Sequence, residues 1–106
     1  MSIVADAIEQ VRKQTQHLYK KIDESTSHRN AVGGDLKTIA SEATLLASSV
    51  KRLAQDQRAG AQVHLQKAAA RLTAAGIAGA TLAETREHMR DALQNISQAV
   101  AEVRHG

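Results

Sequence analysis

Apolar residues recur at alternating steps of three and four along almost the whole chain, and no proline interrupts them. That spacing returns a side chain to the same face of a helix at every step, so the chain is committed to long amphipathic helices before any other feature is considered. The first run is Val4, Ile8, Val11, Thr15, Leu18 and Ile22. Ser2 can cap its start. The polar stretch Ser25–Asn30 weakens it, and Gly33-Gly34 is expected to end it.

A second run opens after Asp35, a good N-cap, with Leu36, Ile39, Ala43, Leu46, Val50, Leu53 and Gln57. Beyond Gly60 the pattern resumes as Ala61, Leu65, Ala68, Leu72 and Ala75. From Leu53 to Leu65 every step is four residues, a stutter that keeps the stripe in phase if the helix runs on and unwinds locally. A glycine inside a helix costs only about 1 kcal/mol. The spacing therefore predicts one central helix over about 36–75, roughly 60 Å long at 1.5 Å per residue. The alternative is a break at Gly60, which gives four shorter helices. A continuous helix would gain from Gly60→Ala, whereas a turn with positive φ would lose from it.

Gly76 is the natural end of this run, and Thr81 and Glu84 then form a Thr-x-x-Glu capping box. The last helix carries Leu82, Met89, Leu93, Ile96, Val100 and Val103 on one face. Glu9 with Lys13 and Glu87 with Arg90 are spaced to pair on exposed faces. The fold class is all-α: a single domain over 1–106, with helices at about 3–29, 36–75 and 82–104, arranged as an antiparallel helical hairpin or bundle. An outer helix of some 25 residues covers only about half of a 40-residue partner, so part of the apolar seam would stay wet. A second copy completing a four-helix cross-section is the simplest way to cover it. The seam residues named in the three runs are thus candidate interaction residues.

Composition narrows the chemistry. Tyr19 is the only aromatic residue, and there is no cysteine. A core of Ala, Leu, Ile and Val suits helices that approach closely, and it leaves little room for a small-molecule cavity. Without cysteine there is no disulfide, thiolate metal site or thiol nucleophile. No phosphate-binding GxxxxGK[ST] loop and no GxSxG elbow occurs. Of the histidines His17, His28, His64, His88 and His105, only Glu102-Val-Arg-His105 has the Glu-x-x-His spacing of bundle di-iron sites, and it has no second copy. The expectation is a protein without catalytic residues, cofactor or metal. The N-terminus lacks the basic and apolar regions of a signal peptide, and no apolar run reaches the roughly 20 residues of a membrane span. With no Trp or Phe to anchor a helix at a membrane surface, a cytoplasmic protein is expected.

The formal charge is +3, with both signs interspersed. Arg12, Lys13, Lys20 and Lys21 recur at helical spacing and could follow a phosphate backbone, although Asp6, Glu9, Asp23 and Glu24 flank them and no aromatics exist to stack on bases. Three functions follow in order: a non-enzymatic helical module that binds itself or a helical partner, a sequence-independent nucleic-acid binder, and a secretion-associated hairpin. The last rests on a resemblance. Tyr19-Lys-Lys-Ile-Asp23 has the Tyr-x-x-x-Asp/Glu spacing, and the length, the alanine-rich helices and the lack of a signal peptide resemble the WXG100-like proteins of type VII secretion. There is no Trp-x-Gly turn, and the Tyr-Asp spacing falls in the first helix. The resemblance implies a helical hairpin with Tyr19 and Asp23 in an export signal.

Overall fold

A computed structural model describes residues 3–27, 33–57, 59–77 and 81–105, with side chains placed for 6–23, 37–57, 60–77, 81 and 83–104. Its elements are α1 (Ile3–Ser27), α2 (Gly33–Gln55), α3 (Ala59–Ala75) and α4 (Leu82–His105). Each helix packs on the next and α4 returns to α1, so the four close into a bundle in up-down-up-down order.

The all-α class holds, but the central helix is two helices. A 40-residue rod would be about 60 Å long, and the molecule measures only 44 × 20 × 17 Å. The chain leaves the helix at Asp56 and Gln57 and is helical again from Ala59, just before Gly60. It tightens the last turn of α2 through bonds from Asp56 N to Leu53 O and from Gln57 N to Ala54 O, both 3.1 Å. Nothing at this point forbids a helix. Burial decides: folding α3 back removes Ala61, Leu65, Ala68, Leu72 and Ala75 from water, and each leucine alone contributes about 1.5–3 kcal/mol. That outweighs the few helical hydrogen bonds given up at the turn. The run of four-residue steps marks where the chain reverses, not where it unwinds.

Gly60 sits in the first turn of α3, outside the left-handed region. A Cβ there would meet the carboxyl group of Glu102 at 3.0–3.2 Å. Glu102 is exposed and long enough to swing aside. Gly60→Ala is therefore expected to raise the thermal midpoint slightly, by up to about 1 kcal/mol of stability. A clear fall in the midpoint would mean that Glu102 is held at that turn. The sign does not report on helix continuity, because the break lies elsewhere.

The start of α2 also departs from the sequence reading. Gly33, Gly34 and Asp35 are helical, so Asp35 lies inside the first turn and is not its cap. α1 is helical through Ser27, and its expected end near 29 lies outside the described residues. Ser2 lies outside the described residues.

The core is assembled within one chain. α1 contributes Ile8, Val11, Thr15, Leu18 and Ile22, while α2, α3 and α4 interleave their larger residues with alanines such as Ala43, Ala47, Ala68, Ala92 and Ala99. Small residues let the helices approach closely and receive the bulkier side chains. Thr15 is fully buried, and its hydroxyl donates to Val11 O at 2.7 Å. In α4 the buried stripe is Thr85, Met89, Ala92, Ile96, Ala99 and Val100. Leu93, expected on that stripe, is only half-buried on its flank.

The capping box is present as read. Thr81 N donates to Glu84 Oε1 and Glu84 N donates to Thr81 Oγ1, both at 3.1 Å. The hydrogen bond from the Thr81 backbone holds the Glu84 carboxyl below its ordinary value, with the Thr81 side chain adding to it. A depressed folded pKa stabilises above the unfolded value and loses that contribution as pH falls through the folded one. Thr81→Ala should cost about 1 kcal/mol at neutral pH. The reciprocal bond is read separately by Glu84→Ala, whose cost in urea titrations should shrink as pH falls and the Glu84 carboxyl takes up a proton. A cost of Glu84→Ala that does not change with pH would rule out the reciprocal bond.

Candidate interaction surface

The seam residues turn inward. Ile8, Val11, Leu18, Ile22, Ile39, Leu46, Val50, Leu65, Leu72, Met89, Ile96 and Val100 are buried in the chain's own core, and Leu53 and Val103 pack partly against it. The side chains of Val4, Leu36 and Leu82 lie outside the described residues. The wet flank that a long central helix would leave is absent from this arrangement, because α3 covers it.

What remains outside is different. Leu45 is 71% exposed, and Val63 and Ile77 also face solvent. Of Leu45-Leu46, only Leu46 can reach the core, because neighbouring helical positions point about 100° apart. Leu45 stands beside an open trough of about 430 Å³ between α1 and α2, lined by Lys13, Gln14, His17, Leu18, Glu42, Leu45, Leu46 and Ser49. Its lining is mostly apolar. The hydroxyl in its lining is turned onto its own helix: Ser49 Oγ donates to Leu45 O at 3.4 Å. It would lose little if this face were covered. A second trough, about 340 Å³, lies between α2 and α3 with Ala54, Ala69 and Ala70 in its lining.

The basic stripe of α1 is split. Arg12 binds Glu9 through Nε at 2.8 Å and through Nη2, and Arg104 of α4 adds a longer contact to Glu9 at 3.9 Å. The hydrogen bond to Arg12 holds the Glu9 carboxyl below its usual value. Glu9 thus turns toward α4, and the expected partner Lys13 is left without an ion pair among the described residues. Lys21 reaches Glu42 at 3.6 Å. Lys13 and Lys20 remain exposed. Glu87 and Arg90 form no ion pair among the described residues. Their neighbours make cross-helix links instead, Arg71 to Asp91 at 3.3 Å and Arg86 to Asp23 at 2.6 Å.

Arg86 also lies over the Tyr19 ring, 5.8 Å from its centre. Tyr19 and Asp23 therefore share one partner on α4. The bond to Asp23 raises the Arg86 pKa above its ordinary value. His64 Nδ1 lies 3.3 Å from Asn95 Oδ1, His88 Nδ1 lies 3.1 Å from Arg71 Nη1, and His17 lines the trough. The side chains of His28 and His105 lie outside the described residues. Among the described residues no group of three or more His, Asp or Glu is placed to hold a metal ion, and no helix is long and apolar enough to cross a membrane.

No family model matches this chain, and neither curated proteins nor solved structures give a match. The surface has to be judged on its own chemistry. Leu45 is the residue that the stripe reading missed, and its signal was available: it lies one position before Leu46, off the stripe that runs through Ile39, Ala43, Leu46 and Val50.

Proposed function

We propose that this chain is a non-enzymatic interaction module that receives a helix of another polypeptide on its α1–α2 face. The observation that carries this reading is the exposed Leu45 beside an apolar trough whose lining hydroxyl, that of Ser49, is already bonded within α2. A helix laid in such a groove anchors through apolar residues at i, i+3 or i+4, and i+7. From Glu42 to Ser49 the trough follows α2 for about 10 Å at 1.5 Å per residue, close to two turns. That length matches such a set of anchors.

The test uses a synthetic amphipathic helix with a single leucine stripe, added to the isotope-labelled full chain. Amide shifts are expected to concentrate at 13–18 and 42–49. Leu45→Asp should abolish them while changing stability by no more than about 0.5 kcal/mol, as for other exposed positions. Shifts centred on α3 and α4, or binding unaltered by Leu45→Asp, would remove the reading.

A further inference from the structure

The charges around the trough specify more than an apolar stripe. Lys13 lines it. Arg52 lies seven residues after Leu45, two turns along the same face of α2, and Lys20 stands one turn beyond His17 on α1. All three are exposed, and none forms an ion pair among the described residues. The carboxylate in the trough's lining, Glu42, is engaged by Lys21. The α4 side is balanced differently, since Arg71 and Arg86 are matched by Asp91 and Asp23.

Resting on the interaction-module reading, we infer that the occupant is an acidic amphipathic helix from a different protein, with Asp or Glu flanking its apolar stripe. Such a helix would bring carboxylates to Lys13, Lys20 and Arg52 while its stripe covers Leu45, Leu18 and Leu46. A second copy of this chain would bring the same unpaired cations to the contact, with its own Glu42 already engaged. A basic helix would place like charges along both rims. Complementary rim charges raise the association rate and reject wrong partners more than they add affinity, and salt screens them.

Three peptides with one leucine stripe and Glu, Gln or Lys flanks separate these cases, titrated by fluorescence anisotropy against the full chain. The Glu peptide is expected to bind at least about tenfold tighter than the Lys peptide at low salt, a gap of about 1.4 kcal/mol. The gap should shrink as salt rises, and the double variant Lys13→Glu/Arg52→Glu should reverse the order. Equal binding of all three peptides, confined to the trough, would overturn the acidic preference and leave the interaction module standing. Absence of binding by every peptide would overturn both. Double-stranded DNA binding more tightly than the Glu peptide, and lost in the same double variant, would overturn the inference in favour of nucleic acid. So would a dimer in sedimentation that Leu45→Asp dissociates.

Discussion

Leu65→Asp is expected to leave the chain largely unfolded at 25 °C. Leu65 is fully buried within the chain's own core. The aspartate would forfeit about 1.5–3 kcal/mol of leucine burial, and several more would be spent on an unpaired carboxylate or on keeping it protonated. Domains are stable by only about 5–15 kcal/mol in total. Here the core leans on alanine, so few large side chains remain to compensate. The same residue change at Leu45, 71% exposed, should leave the helical circular dichroism intact. The pair also separates two architectures. If the stripe through Leu65 were a seam between copies, the aspartate would give a helical monomer that sediments as a smaller species. In a bundle closed within one chain, it gives loss of helical signal at every concentration. A folded, fully helical Leu65→Asp monomer would sink the arrangement of α3 described above.

Helix positions were legible because apolar period and capping chemistry are local. Thr81 and Glu84 announce the start of α4 through bonds spanning three residues, and the α1 stripe from Ile8 to Ile22 is buried as read. The sequence offered a break at Gly60, giving four helices, only as the alternative to a continuous helix, because the cause that decides between them is tertiary. Asp56 and Gln57, where α2 gives way, are neither glycine nor proline, and only the burial of Leu65 and Leu72 on refolding makes a turn there worthwhile. Gln57, counted into the stripe, is half-buried with its side-chain nitrogen unpartnered among the described residues. Alanine conceals the remainder of the core. Ala92 and Ala99 are fully buried, but the α4 stripe was traced through its larger residues, which drew in Leu93 instead. The surface was misjudged for a related reason. Once four helices cover the seam, the residue of interest is the leucine left off it.

Gly76→Ala is expected to destabilise the fold by about 1–3 kcal/mol, the usual cost of forcing extra volume into a closed contact. The sequence assigns Gly76 to ending a helix through backbone freedom. The structure gives it another task. Its backbone is not left-handed, and Gly76 N bonds to Leu72 O at 3.2 Å and to Thr73 O at 3.1 Å. At such a position alanine would ordinarily stabilise by restricting the unfolded chain. A Cβ at Gly76, however, would lie 2.2 Å from Thr44 Oγ1 and 3.1 Å from Ala40 O on α2. Thr44 cannot rotate away without surrendering its own bond to Ala40 O. The glycine is therefore what lets the end of α3 lie against α2. Thr44→Ala removes the nearer obstacle and leaves the Ala40 carbonyl, so Gly76→Ala should cost clearly less in that background. The expected coupling lies in the range of about 0.5–3 kcal/mol typical of residues in contact. Urea denaturation of wild type, both single variants and the double variant measures it. Thr44→Ala alone should be nearly neutral, since the hydroxyl is exposed and alanine is the better helix former. If Gly76→Ala proves equally neutral in both backgrounds, α3 and α2 are further apart at this end, and the close approach drawn here is wrong.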